Sequence, residues 1–400
     1  MTDAPAGPAI GAGDGRARTT VLVITLAVDF SAPARMPREL KRAGFNVAVF
    51  APQGALCTRT RFADSVHIML AEQTLPEWIE ALADLARSIE ARLLLPGDDP
   101  TLYVLMQLAR EPLPALRPGV QMELAALIRR SLGDPAGYLD SVDKGRLVRR
   151  AKALGLPVPP GDGVVTPAEA VRVADAVGYP VIVRPVTGWA GRGVTICGSE
   201  GELRAAMATL AEPSELLPQG AARALVQREI RGLPINRAAL AWDGREICGF
   251  CRARMRPSAE MLGPGSVTRY VARPDITAMH RTLLQALGAS GLVGTQYIVE
   301  AETGIPYLIE INRRMVPATY TGSRVGVDLA AALAAVMDSR DWTGPTDVSA
   351  ENQRELALFP QEWLRDPSSA DLERLPTDAP WDDPELFEAM LALRAGRKTI

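Results

Sequence analysis

A chain of 400 residues and 42.9 kDa exceeds what one compact core organises and fits two or three domains. Apolar residues make up 47% and charged residues 23%, with 44 Lys and Arg against 47 Asp and Glu for a net charge of −3. That balance is globular and argues against a protein that coats nucleic acid. No apolar run reaches the roughly 18 residues that cross a bilayer, and residues 1–18 lack the apolar core of a signal peptide. The expectation is a disordered tail over 1–18 on a cytoplasmic chain with neither membrane nor nucleic acid as partner.

In chain order, Val21–Ile24 reads as a buried strand, residues 33–43 as a helix, Phe45–Phe50 as a second strand, Pro76–Ala91 as an amphipathic helix and Leu93–Leu95 as a third strand ending in Pro-Gly-Asp98-Asp99. Strand, helix, strand in succession implies a parallel sheet with ligands past its carboxyl ends, a Rossmann-like domain over 19–140. Asp98 and Asp99 then face a cleft, or Asp99 caps the next helix. The fingerprint G-x-G-x-x-G is absent after the first strand, as is a G-x-x-x-x-G-K-[ST] loop. A helix from the N-cap Asp143 to Leu154 follows, then helix 167–177, strand Val181–Val183, a glycine turn, strand 194–197 and helix 200–210. Strand Leu225–Ile230, a hairpin around Asp243-Gly244, helix 275–287, strands 292–300 and 306–312 and helix 326–337 complete the pattern. Residues 341–400 read as an irregular extension with one helix near 384–394.

Four cysteines make no disulfide framework. Cys248 and Cys251 have C-x-x-C spacing, but on a strand they face opposite sides and read as ordinary apolar residues. His67 and His280 belong to no recognisable constellation. Only four lysines stand among the 44 basic residues, so Lys144 draws notice, because an ammonium and a guanidinium are not equivalent at a tight site.

Three features carry chemistry. Glu310 and Asn312 are two apart on one strand, and the turn near Thr303 sets Gln296 opposite Glu310, so three oxygen-bearing side chains share a face. Such a set suits Mg²⁺ with phosphate oxygens as further ligands, or it is the polar side of an edge hairpin. Gly188, Gly191 and Gly193 lie between two strands, as a phosphate-approaching loop or a flexible turn. Lys144 at a helix start and Arg184 at a strand end are placed to meet phosphates, or are surface charge.

These pieces in this order resemble the ATP-grasp superfamily, and within it the carbamoyl-phosphate-synthetase-like carboxylate–amine ligases. The resemblance is carried by Asp143-Lys144, Leu-Gly-Leu-Pro (154–157), Gly-Tyr-Pro-Val-Ile-Val-Arg-Pro (178–185), the glycine loop, Val226-Gln227-Arg-Glu229-Ile230-x-Gly232, Gln296, Glu310-Ile-Asn312-Arg-Arg314 and Gly-Val-Asp-Leu (326–329). It covers about 140–340 and implies an α/β and α+β architecture: the Rossmann-like N-terminal domain, then a two-lobed ATP-grasp fold over 141–340 with a lid subdomain at about 156–225.

By resemblance, ATP and Mg²⁺ (with Mn²⁺ able to substitute) are the cofactors. Lys144 and Arg184 would contact the α- and β-phosphates, and Gly188, Gly191 and Gly193 would close over them. Gln227, Glu229 and Ile230 would line the adenine hinge, with Asn236 near the ribose. Gln296, Glu310 and Asn312 would bind metal, and Arg314 would hold the transferred phosphoryl group, with Arg184 also catalytic. The implied activity joins a small carboxylic acid to an amine through an acyl phosphate, releasing ADP and phosphate. The alternatives are a nucleotide sensor without turnover, a phosphotransferase, or a carboxylase-type enzyme acting on bicarbonate. Two departures stand out: Arg184 where the family usually has Lys, and Arg313 where proline is frequent. Arg252, Arg254 and Arg256 alternate, so all three are expected on one strand face, with Arg269 following; Arg254, Arg256 and Arg269 are the candidate carboxylate contacts. Asp98 and Asp99 are candidates for a substrate amine. Related folds are often dimers, so a homodimer is a candidate assembly.

Overall fold

The computed structural model describes residues 18–111, 113, 116–188, 193–210, 221–257, 265–317 and 319–395. The expected tail over 1–18 lies outside these, apart from Arg18.

The first sheet is parallel. Its strands β1 (Thr20–Ile24), β2 (Asn46–Pro52), β3 (Ser65–Met69) and β4 (Leu93–Pro96) lie in the order β3-β2-β1-β4. The central strands are continuous apolar runs because helices cover both faces. Sequence reading passes over β3, where Val66 and Ile68 are 40% and 42% exposed; an edge strand carries little hydrophobic signal. It also passes over helix Pro118–Leu132, whose Leu124, Ile128 and Leu132 pack into the same core. A capping box of Thr74 and Glu77 starts helix Leu75–Ser88.

The second sheet is antiparallel: β5 (Gly161–Val164), β6 (Val181–Pro185), β7 (Thr195–Cys197) and β8 (Ala224–Arg228), in the order β5-β8-β6-β7. Helices Pro167–Val177 and Glu200–Thr209 pack on it through Ala170, Ala174, Leu203 and Met207.

The third sheet has six antiparallel strands: β9 (Gly232–Trp242), β10 (Arg245–Pro257), β11 (Gly265–Val271), β12 (Gly291–Glu300), β13 (Pro306–Asn312) and β14 (Glu355–Ala357), in the order β13-β12-β9-β10-β11-β14. Asp243 and Gly244, both at positive φ (48° and 76°), make the tight β9–β10 turn. One face packs on helices Lys144–Ala153 and Pro274–Leu287 through Val148, Leu283, Val293 and Tyr297. The other packs against the parallel sheet's helix Ser31–Arg42, helix Leu329–Met337 and the C-terminal segment. Cys248 lies in one core and Cys251 in the other, both buried and free. Burial pushes the Cys251 thiol up to about 11. Neither is a redox partner of the other.

The C-terminal segment is more regular than its composition suggests. Besides helix Pro384–Ala395 it contributes β14 and helices Gln361–Arg365 and Ala370–Arg374. Asp378 ties it down: its carboxylate accepts from Phe359 N at 2.6 Å and from the Tyr320 hydroxyl at 2.6 Å.

Candidate functional site

One rung crosses the six-stranded sheet. Glu310 is opposite Gln296, Gln296 opposite Asn236, Asn236 opposite Arg252 and Arg252 opposite Tyr270. Directly opposed residues share a face, so all five side chains point the same way, and Asn312, two along from Glu310, joins them. Glu310 Oε1 accepts hydrogen bonds from Gln296 Nε2 at 2.7 Å and Asn312 Nδ2 at 3.0 Å. The cluster is one carboxylate and two amides. Among the described residues no group of three or more His, Cys, Asp or Glu side chains is disposed to hold a metal. A half-turn of either amide presents its oxygen instead of its nitrogen. The donor set therefore fits a hard cation that takes only part of its coordination from protein and the rest from phosphate and water.

Positive charge surrounds this cluster. Lys144 opens helix Lys144–Ala153, whose N-cap Asp143 accepts from Gly145 N and Arg146 N. Its ammonium donates to Gly188 O at 2.7 Å. Burial pulls the Lys144 pKa down, and Glu310 opposes the shift. Arg184, 7% exposed on β6, donates from one terminal nitrogen to Gln227 Oε1 at 3.0 Å and Ile309 O at 3.1 Å. Burial pulls its pKa down to about 10, with Glu310 opposing. The guanidinium thus bridges the four-stranded sheet to the backbone beside Glu310.

Arg314 follows β13. It forks onto Asp99, Nε to Oδ1 at 2.8 Å and a terminal nitrogen to Oδ2 at 2.6 Å. Burial works against its charge, and the Asp99 carboxylate outweighs it, so its pKa is raised. Asp99 is therefore tied to this arginine and does not stand ready for a substrate amine. Asp98 is equally occupied. Fully buried, it caps the helix through Thr101 N and accepts from Thr25 Oγ1, Leu26 N, Ala27 N and Thr101 Oγ1.

The other expected residues divide. Gly188 and Gly193 adopt positive φ (122° and 73°), a conformation other residues avoid; Gly191 lies outside the described residues. The Gln227 side chain is taken up by Arg184 and Pro159 O. Glu229 donates its backbone N–H to Pro180 O, and its carboxylate pairs with Arg231 at 3.0 Å; Ile230 is buried. Arg252, Arg254 and Arg256 do not share a face. A bulge between Arg254 and Arg256 sets Arg256 opposite Val267 while Arg254 is opposite Thr268. Arg256 then pairs with Glu362 and Asp371, and Arg269 with Glu355, so both fasten the C-terminal segment. Arg254 remains on the site face with Arg252, whose guanidinium donates to Pro317 O at 2.7 Å.

Sequence reading missed Tyr103. It stands four residues after Asp99 on helix Asp99–Arg110, and its hydroxyl meets the backbone of Gly188. The signal was available, since positions i and i+4 on a helix share a face.

The ATP-binding domain model of the carbamoyl-phosphate synthase L chain matches residues 143–233. The carbamoyl phosphate synthase large chain of Thermus thermophilus is 32% identical over 234 residues, 55% of this chain and 22% of that one. This chain therefore spans about a fifth of that relative. In three dimensions it is similar to the biotin carboxylase domain of Hydrogenobacter thermophilus 2-oxoglutarate carboxylase, solved with MgADP and bicarbonate (TM-score 0.61, 20% identity, 84% of this chain and 73% of that one). It is also similar to a carboxyaminoimidazole ribonucleotide synthase from Aspergillus clavatus, solved with ATP (TM-score 0.58, 16% identity, 84% and 80%). At these identities the two structures report a shared fold. The match over 143–233 and the Thermus relative make this stretch similar to the ATP-binding domain of carbamoyl-phosphate synthases.

Proposed function

We propose that the protein is an ATP-dependent ligase that joins a small carboxylic acid to an amine through an acyl phosphate, releasing ADP and phosphate. The observation that carries the reading is the Gln296–Glu310–Asn312 cluster with Lys144, Arg184 and Arg314 close enough to feel the Glu310 charge. Residues 19–140 form a Rossmann-like domain, as the order β3-β2-β1-β4 supports. Residues 141–340 form the ATP-grasp domain, with the lid at about 156–225 and an extension over 341–400. A homodimer in the cytoplasm is part of the same reading.

A carboxylate is a poor electrophile because its leaving group would be oxide; phosphorylation supplies a better one. Lys144 exchanges the Gly188 carbonyl for a phosphate oxygen, and Arg184 offsets charge on the α- and β-phosphates. Arg314 meets the γ-phosphoryl group as it passes to the acid. Gln296, Glu310 and Asn312 would hold Mg²⁺, which neutralises the triphosphate when bound; Mn²⁺ has the ligand preferences to replace it. Gly188 and Gly193 border the loop that shields the acyl phosphate from water. The amine then attacks the acyl carbon, and phosphate leaves with the bonding electron pair.

The test is ADP release from Mg²⁺-ATP with pools of amino acids, hydroxy acids and bicarbonate, each with and without hydroxylamine. One acid yielding ADP and a hydroxamate, both abolished by Glu310→Ala, is the expected result. Magnesium-dependent ATP binding with no acid-stimulated ADP would sink the ligase reading in favour of a nucleotide sensor.

A further inference from the structure

Arg184 and Arg314 are both buried cations at one site, yet their pKa values move in opposite directions. Arg184 bonds only neutral acceptors, and its pKa falls to about 10. Arg314 bonds a carboxylate through two parallel N–H···O contacts, and its pKa rises. A forked guanidinium–carboxylate pair fixes the guanidinium plane as well as its charge. A further donor goes to Met315 O at 3.1 Å. Three N–H groups are thereby used, which leaves one on each terminal nitrogen.

Asp99 is itself held firmly. It follows the end of β4 in the first turn of helix Asp99–Arg110, and the neighbouring Asp98 clamps that turn to the exit of β1 through Thr25, Leu26 and Ala27. Met315 N donates to Pro96 O at 3.2 Å, so the exit of β4 is spliced to the stretch after β13 beside the ion pair. The Phe30 ring lies 5.8 Å from the Arg314 guanidinium. The parallel sheet thus reaches across the chain and sets one side chain just past the end of β13.

We infer that Asp99 is the positioning residue for Arg314, fixing the guanidinium so that its two remaining donors meet the phosphoryl group in flight. The inference rests on the nucleotide reading above. It makes the N-terminal sheet a component of the phosphoryl-transfer site, beyond any part it has in binding substrate. Nucleotide affinity in the ground state does not need this orientation. Stabilisation of the transferring phosphoryl group does, because donors contribute fully only where they already point at the developing charge.

The test uses the full chain and probes that need no knowledge of the acid. Mg²⁺-ADP binding is measured by calorimetry with and without aluminium fluoride, a mimic of the transferring phosphoryl group, for wild type, Asp99→Asn, Asp99→Glu, Arg314→Ala and the Asp99→Asn/Arg314→Ala double variant. Melting temperatures are recorded alongside. In wild type, aluminium fluoride is expected to tighten binding by at least about 100-fold, as transition-state mimics do. Asp99→Asn is expected to bind Mg²⁺-ADP within about 3-fold of wild type and to lose most of that increment. Arg314→Ala loses as much, and the double variant loses no more. Asp99→Glu, which keeps the carboxylate, recovers part of the increment and serves if Asp99→Asn fails to fold. A full increment in Asp99→Asn, an additive loss in the double variant, or no increment in wild type would overturn the inference. Absence of Mg²⁺-ADP binding in wild type would instead overturn the nucleotide reading itself.

Discussion

At the scale of single residues, the site is defined by who holds each charge. Arg184 stands where the resemblance leads to the expectation of a lysine, and its contacts are ones a lysine can also make. Both of its hydrogen bonds leave from one nitrogen, to Gln227 Oε1 and Ile309 O, and an ammonium also has several donors on one atom. Arg184→Lys is therefore expected to bind Mg²⁺-ATP within about 5-fold of wild type, while Arg184→Met loses a charge-assisted phosphate contact of about 1.5–3 kcal/mol, or at least about tenfold in affinity. Equilibrium dialysis with labelled ATP separates the two. The spacing of Glu310 and Asn312 was legible in sequence, because alternation along a strand is a local rule. The fate of Asp99 was not, because its partner is Arg314, contributed from the far end of the chain.

At the scale of elements, caps and close approaches hold the functional side chains in place. Asp143 caps the helix that begins with Lys144. Asp143→Ala is expected to cost about 1 kcal/mol of stability and to weaken Mg²⁺-ATP binding, since the start of the helix frays at the proposed phosphate contact of Lys144. Thermal melts with and without Mg²⁺-ATP measure both effects. On β12, Gly294 is opposite Asn312, and a Cβ there would come within 2.4 Å of Val316 Cγ1. Gly294→Ala is expected to destabilise by about 1–3 kcal/mol through overpacking and to move the Asn312 strand, read as a lowered urea midpoint and weaker metal-dependent ATP binding. Most helices and central strands were legible from period and caps. The edge strand β3 was not, since its apolar residues face outward. The basic alternation at Arg252, Arg254 and Arg256 misled, because a bulge breaks the two-residue period.

At the scale of the molecule, the back of the six-stranded sheet carries a buried polar network remote from the proposed phosphate contacts. Glu246 accepts a forked pair from Arg237 at 2.9 and 2.7 Å and lies 2.6 Å from His280 Nδ1, with all three side chains fully buried. Burial lowers the His280 pKa below 6.5, despite Glu246. On acidification below about pH 6.5 the unfolded chain takes up a proton at this histidine that the folded protein refuses. Stability therefore falls as pH drops, by up to about 1.4 kcal/mol per pH unit. Glu246 is held well below the ordinary carboxylate range: burial would raise it, but His280 and Arg237 outweigh that. Its own contribution is fully present above the unfolded carboxylate value near 4.5 and is lost as pH falls below that value. His280→Gln is expected to flatten the slope between pH 6.5 and 5 and leave the steeper loss below pH 4.5, as urea unfolding at each pH reads directly.

The sequence by itself determined the order of elements, the cap at Asp143 and the shared face of Gln296, Glu310 and Asn312. Each follows from a local rule: a helical or strand period, a cap, a glycine at positive φ, a motif in order. Only the tertiary structure decided that Asp98 is a buried clamp, that Asp99 serves Arg314, and that Arg256 and Arg269 fasten the C-terminal segment. These depend on contacts between residues scores to hundreds of positions apart, and on a bulge that shifts a strand's facing. A buried charge must find its partner wherever the fold supplies one, and the choice of partner is a property of the packed chain.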